Sequence, residues 1–281
     1  MVLRHEYPAG VPCWVDLTPS DPGAAVEFYG GIFGWAFTDR APAAAPPYHV
    51  AQIDGHDVAA IGSTGSTAEG PHAWTMHVAV DDAGEAADRV RRLGGRVLSG
   101  PTETPGVGRG AICADPAGAR FGVWQSLGRA GAELVNGSGT WNFNELATTD
   151  PEGAEAFYGS VFGWKAVPVD FGLEQSVMWA MPGYGDFLAS IDPDVRRRHA
   201  EESLPDDFTS AVAWMGNAAA GERASWATTF ATDDPDDFVA RAERLGGTIV
   251  KPAHDTGPVR MAVIDDPQGA RFAVSRYQPD A

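Results

Sequence analysis

Basic residues are scarce in this chain of 281 residues: Lys and Arg number 20 against 38 Asp and Glu, a formal charge of −18, and no block of Lys or Arg offsets it. A surface of that sign repels phosphate backbones, so no nucleic-acid partner is expected. Long apolar runs are missing as well. No stretch approaches the roughly 20 apolar residues that cross a bilayer, and the opening Met1 to Tyr7 carries no apolar signal core. The expectation is a cytoplasmic, soluble protein with no membrane partner. Cysteine is nearly absent: Cys13 and Cys113 stand alone, outside any Cys-x-x-Cys or Cys/His cluster. A disulfide scaffold and a zinc ribbon both lose support, and the two thiols read as small apolar fillers.

Turn residues, by contrast, are abundant. With 34 Gly and 21 Pro the chain is punctuated into many short elements rather than long helices, and its length suits two domains of about 100–200 residues each. The chain also repeats itself. Asp21-Pro22 through Phe28-Tyr29 to Phe33-Gly34-Trp35 returns 129 residues later as Asp150-Pro151 through Phe157-Tyr158 to Phe162-Gly163-Trp164. A strand-like run precedes each copy, Trp14 to Leu17 and Phe143 to Leu146. Asp115-Pro116-Ala117-Gly118-Ala119-Arg120-Phe121 returns at Asp266 to Phe272, now 151 residues on, so the second half has gained about 22 residues between the two blocks.

Each copy opens with a capped amphipathic helix: Asp at the N-cap, Pro at the first helical position, and Ala24/Phe28/Ile32 or Ala154/Phe157/Val161 at helical spacing. A second helix per half starts at Asp82 or Asp234 and ends at a Leu-Gly-Gly stop. Strands are predicted ahead of these helices, over Trp74 to Val80 and Trp226 to Ala231.

Two strand-helix-strand modules per half, with the Phe-Tyr and Phe-Gly-Trp helix exit and the Asp-Pro-x-Gly-Ala strand entry, resemble the vicinal oxygen chelate superfamily. That superfamily includes glyoxalases, bleomycin-resistance proteins and extradiol dioxygenases, and the nearest likeness is to an actinobacterial two-domain group. The resemblance implies an α+β fold, a tandem pair of glyoxalase-like domains, each two βαβββ modules forming a cupped mixed sheet. The first domain spans 1–127, a linker 128–139, and the second domain 140–281 with an insertion at 192–223. The paired halves imply a monomer built as an intramolecular pseudo-dimer, or a homodimer.

In the superfamily's metal enzymes the cup holds His and Glu ligands at set strand positions. Carried onto this chain, those positions fall on Trp14, Thr75 and Gly122 in the first half and on Phe143, Ala227 and Ala273 in the second. None is a metal donor, so no cofactor is expected at the usual place. A divalent metal on relocated ligands stays open, because strand alternation puts Asp16 on the face of Trp14 and His77 on the face of Thr75. Such a pair reads as a hydrogen-bonded cavity lining, as a relocated metal site, or as an acid-base dyad. In the second half the corresponding residues are Glu145 and Thr229.

Asp16, His77 and Glu145 are therefore the candidate catalytic residues. Trp14, Trp124 and Phe143 are candidates to stack on a planar ligand, with core packing as their plainer role. Arg109 and Arg260 correspond at the 151-residue offset, and Arg260 alternates with Ala262 while the opposite face carries Val259, Met261 and Val263. The bulky face is expected to meet the helix, so that the arginines face the cup and hold an anionic oxygen, or pair with Asp16 and Glu145. On this count the first half should bind a ligand better, since only it combines Asp16, His77, Arg109 and Trp124. The insertion, with its Arg196-Arg197-Arg198-His199 run, is either a surface excursion or a lid.

Three functions compete. The first is a small-molecule-binding protein of the glyoxalase/bleomycin-resistance kind, without the usual metal. The second is a lyase, dioxygenase or isomerase acting on a small oxygen-rich or aromatic metabolite. The third is a surface interaction protein with vestigial pockets. Fold alone does not choose among them.

Overall fold

A computed structural model describes residues 1–42, 45–62, 72–170, 175–201, 204, 207–219 and 221–278. The first half runs β1 (Val2–Leu3), β2 (Pro12–Leu17), α1 (Pro22–Phe33), β3 (Ala36–Asp39), β4 (Tyr48–Ile53), β5 (His56–Gly62), β6 (Trp74–Ala79), α2 (Ala83–Arg92), β7 (Arg96–Thr104), β8 (Gly108–Ala114), β9 (Arg120–Ser126) and β10 (Leu134–Val135). The second runs β11 (Trp141–Thr148), α3 (Pro151–Phe162), β12 (Lys165–Asp170), β13 (Gln175–Ala180), α4 (Tyr184–Ile191), α5 (Val195–Glu201), a short turn of 3-10 helix (Phe208–Ser210), β14 (Ala211–Asn217), β15 (Ser225–Ala231), α6 (Pro235–Arg244), β16 (Thr248–Thr256), β17 (Val259–Asp265) and β18 (Arg271–Tyr277).

Among the described residues each half forms one eight-stranded sheet, and the two orders match strand for strand: β3-β4-β5-β2-β6-β9-β8-β7 and β12-β13-β14-β11-β15-β18-β17-β16. The pairs β2/β5 and β6/β9 are parallel, as are β11/β14 and β15/β18. The fold is thus α+β, a tandem of glyoxalase-like cupped sheets.

The helices begin where their caps dictate. Asp21 accepts from Ala24 N at 3.0 Å and Asp150 from Gly153 N at 2.9 Å, each with Pro next, and each helix stops on a left-handed glycine, Gly34 at φ 73° and Gly163 at φ 81°. Only glycine takes that conformation without strain.

Packing then crosses between halves. α1 buries Phe28, Tyr29 and Ile32 in a core shared with Phe230, Phe238 and Phe272 of the second half. α3 buries Phe157, Tyr158 and Val161 in a core shared with Met76, Val90 and Phe121 of the first. The repeated motifs meet in these cores. The Tyr29 hydroxyl donates to Asp266 at 3.1 Å and receives the Trp74 indole N–H at 3.0 Å; Tyr158 donates to Asp115 at 3.0 Å and receives Trp226 at 2.8 Å. Trp35 donates to Gly139 O and Trp164 to Gly10 O, at 2.8 and 2.6 Å. The Asp of each Asp-Pro-x-Gly turn therefore holds its own turn through Ala119 N or Ala270 N, both at 2.8 Å, and anchors the tyrosine of the opposite half. A hydrogen bond to a charged group is worth roughly 1.5–3 kcal/mol when buried, enough to bind each half to its partner's motif. Burial in turn raises the Asp115 carboxyl and the Tyr158 phenol above their ordinary values.

One expectation about layout changes. The insertion predicted at 192–223 overlaps β14, which lies beside β11 as β5 lies beside β2 and belongs to the repeat. The extra residues come earlier, at 181–210, replacing the Asp54-Gly55 turn that joins β4 to β5. The connecting segment packs on the first half: β10 pairs with β1, Tyr7 donates to Ala132 O at 2.7 Å, and Arg129 enters the first cup.

Candidate functional site

The helices cover one face of each sheet and leave the other concave face for the side chains that alternate away from the core. In the first half that face carries Trp14 and Asp16 on β2, His77 on β6 and Trp124 on β9. Asp16 and His77 meet, with Oδ1 to Nε2 at 3.0 Å and both residues about 5 % exposed or less. Tyr48 donates to Asp16 Oδ2 at 3.1 Å and receives the Trp14 indole N–H at 2.9 Å. The guanidinium of Arg129 lies 4.1 Å above the Trp14 ring and pairs with Asp57 at 3.1 Å. Asp57 also holds Arg40 at 2.8 Å and Gln52 at 2.9 Å. Trp124 donates to Arg129 O at 2.8 Å. The chain's own residues thus pack into this cup, leaving His77 Nδ1 buried without a hydrogen-bond partner among the described residues. Trp14, a candidate to stack on a ligand, is covered by Arg129 and only 6 % exposed.

Glycine makes that filling possible. A Cβ at Gly122 would lie 2.1 Å from His77 Nδ1, and one at Gly108 2.2 Å from the Trp124 ring. No side chain fits either place. The second half reverses the volumes at one of these places, where Val259 and Met261 stand for Gly108 and Gly110 and Ser275 for Trp124. At the other, Ala273 stands for Gly122 and Thr229 for His77, so the small partner stays small and the large one shrinks.

Arg109 and Arg260 do not face the cups. Arg260 pairs with Asp236 at 2.6 Å, in the first turn of α6, and with Asp255 at 3.0 Å. Those acids raise its guanidinium further. Arg109 lies over the start of α2, its guanidinium 3.6 Å from where a Cβ at Gly84 would be. The expected orientation is inverted because small residues serve the helix side: Ala262 packs in the core with Phe238 and Ala242, whereas Val259 and Met261 alternate to the cup face. Neither Arg pairs with Asp16 or Glu145. Arg120, at the rim of the first cup, is the arginine that feels the Asp16 charge, while its burial pulls its own pKa down.

The second cup is different. Phe143 and Glu145 on β11 share their face with Trp214 on β14, in register with Glu145. Phe208, from the insertion, completes a trio of half-buried rings: Phe143 to Phe208 6.0 Å, Phe143 to Trp214 6.1 Å, Phe208 to Trp214 6.3 Å between centroids. Part of the insertion is therefore wall. His199 braces it, its ring 5.3 Å from Phe208 and Nδ1 3.0 Å from Thr209 Oγ1. Glu145 is exposed and, among the described residues, makes no hydrogen bond or ion pair. Its carboxyl lies over Gly216, where a Cβ would come within 2.7 Å of Oε1. The recess crowds the group while leaving it open to solvent, and that partial desolvation raises its pKa against a weaker pull from exposed Lys251. Phe208, Trp214, Tyr48 and Arg129 were not among the candidates. Trp214 alternates with buried Ala213 and Met215 along β14, a pattern that assigns it to the cup only once that strand is placed beside β11. Arg129, in a Gly-rich connection, gave no signal.

Metal donors do not assemble. Among the described residues no three His, Cys, Asp or Glu side chains converge on a point, and the superfamily's ligand positions hold Trp14, Thr75, Gly122, Phe143, Ala227 and Ala273. The described side chains do not fit a chelate centre. Both thiols are buried, which pushes Cys113 up to about 12 and Cys13 higher still, against a smaller opposing pull on Cys13 from Arg129.

Fold and site together define a tandem cupped-sheet protein whose concave faces carry its polar and aromatic groups. The family follows: the description "Glyoxalase/Bleomycin resistance protein/Dioxygenase superfamily" matches residues 13–123 and 142–274, and the chain belongs to it. It is 33% identical over 283 residues to the putative glyoxylase CFP32 of Mycobacterium bovis, covering 99% of each chain. It is 33% identical over 281 residues to the anthracycline biosynthesis protein DnrV of Streptomyces peucetius, covering 95% of this chain and 94% of that one. Among solved structures, the Mn(II)-bound glyoxalase of Novosphingobium aromaticivorans matches at TM-score 0.58 and 16% identity over 95% of this chain and 82% of that one. The trihydroxybiphenyl dioxygenase of Sphingomonas wittichii matches at TM-score 0.59 and 11% identity over 96% and 92%. At such identities these two likenesses are of fold.

Proposed function

We propose that this chain binds a small, flat aromatic molecule in its second cup and does so without a metal centre. The observation that carries this is the contrast between the cups: in the first, Asp16, His77, Tyr48, Trp14 and Arg129 pack against one another, whereas the second presents three half-buried rings beside a carboxyl with no partner among the described residues. Burying a planar ligand against aromatic side chains supplies area and orientation together. The relative named for anthracycline biosynthesis is in keeping with a flat ligand.

Calorimetric titration with tryptophol, before and after dialysis against a chelator, tests the reading. Binding that survives chelation and weakens at least tenfold in Phe208→Ala is expected. Binding that vanishes on chelation and returns with Mn(II), or that is lost in His77→Ala and unaffected by Phe208→Ala, overturns it.

A second reading has one observation of its own. His77 Nδ1 is buried with no hydrogen-bond partner among the described residues while Nε2 meets Asp16, the arrangement of a base held by a carboxylate. That dyad needs the first cup to open. Turnover of any superfamily substrate that is abolished by His77→Ala and raised by Arg129→Ala would favour it.

A further inference from the structure

The ligand's charge is legible in the second cup. We infer that the molecule bound there carries a basic nitrogen on or beside its aromatic ring, with Glu145 as the group that selects it. This rests on the second cup being the ligand site.

Three features converge. Glu145 is an acceptor-only group when ionised, it has no protein donor among the described residues, and Gly216 leaves the space its carboxyl occupies. An exposed carboxylate with no protein donor among the described residues, on the same sheet face as Phe143 and Trp214, is open to a partner from outside. The rings beside it favour the same sign, since an aromatic face attracts a cation through its quadrupole. Edge-to-face contacts set Phe143 at 66° to Phe208 and 68° to Trp214, so ring faces and edges alternate around the floor. The wider field agrees: a chain of net charge −18 concentrates cations at its surface and repels anions. Among the described residues Lys251 is the base whose field reaches Glu145, and it is exposed and forms no ion pair with it. The first cup supplies an internal precedent for the chemistry. There a guanidinium rests on Trp14 and pairs with Asp57, a cation held by a ring and a carboxylate. Among the described residues of the second cup no arginine takes that place.

Three probes with one ring system separate the contributions: tryptamine, tryptophol and indoleacetate, titrated into the full chain at fixed ionic strength. Tryptamine should bind about tenfold tighter than tryptophol, the size of one charge-assisted hydrogen bond partly screened by solvent, with indoleacetate weakest. Glu145→Gln should erase the preference for the amine while leaving tryptophol within about twofold, and Trp214→Ala should weaken both probes alike. An amine preference that persists in Glu145→Gln reflects only the acidic surface and overturns the inference. Equal binding of tryptamine and tryptophol, with both lost in Trp214→Ala, overturns it as well while leaving the second cup as the ligand site. If no probe binds, or binding ignores Trp214→Ala, it is the ligand-site reading that fails. Circular dichroism of each variant establishes that the fold is intact.

Discussion

The two halves share a strand order, helix caps and reciprocal anchors, yet their concave faces have opposite characters. The first spends its polar residues on one another: Asp16 on His77 and Tyr48, Arg129 on Asp57, Trp14 beneath Arg129. The second leaves Glu145 unpaired among the described residues and its rings half-buried. Duplication fixes a scaffold more firmly than it fixes a site. The anchors that join the halves, Tyr29 to Asp266 and Tyr158 to Asp115, lie on the helix side, where each copy is needed to hold the other. The cups face away from that constraint, and the two are free to differ.

The sharpest way to break the contrast is to treat the two cups' tryptophans alike. Trp14→Ala should cost about 3–5 kcal/mol, as for other buried tryptophans, because it empties a closed space and strips Tyr48 of a donor. Trp214→Ala should cost far less stability and appear mainly as lost affinity. Denaturant titration of both variants checks this, and equal losses would mean that the second cup is as much core as the first.

Exchanging volumes comes next. Gly108→Val alone should destabilise by about 1–3 kcal/mol through overpacking against Trp124. Gly108→Val with Trp124→Ser copies the second half's pair and should recover much of that loss; a double-mutant cycle with no coupling would show that the exchanged partners are not a unit. Arg129→Ala should be milder, about 1 kcal/mol for a largely covered cation on a ring, and should make Trp14 accessible to acrylamide quenching.

The smallest effect concerns pH. The crowded recess raises the Glu145 carboxyl, so its ionised form is disfavoured in the folded chain relative to the unfolded one. That penalty is fully present above the folded pKa and gone once the pH falls below the ordinary carboxylate value. Glu145→Gln should therefore raise the melting temperature slightly near neutrality, with the gain fading in acid. A stability loss at neutral pH would reveal a partner for Glu145 within the protein.

Periodicity and capping made the scaffold readable in one dimension, because an N-cap, a helix stop and a strand's alternation each depend on neighbours a few residues away. The repeat and its helix caps follow from such local rules, and the tandem cupped sheets, with Asp16 and His77 on one face, from the family resemblance that those motifs carry. So does the chemistry at the superfamily's ligand positions, since Trp14, Gly122 or Ala273 lacks a donor in any conformation. Tertiary structure decided everything that depends on what lies across a gap. It sent Arg109 and Arg260 toward the helices, because small residues there permit close approach. It brought Arg129 over Trp14 from a connection with no periodicity, and joined Phe208 to Phe143 across 65 residues of chain. Whether a carboxylate is paired or open is set by which side chains the packed elements deliver to it, and no local pattern around Asp16 or Glu145 distinguishes the two.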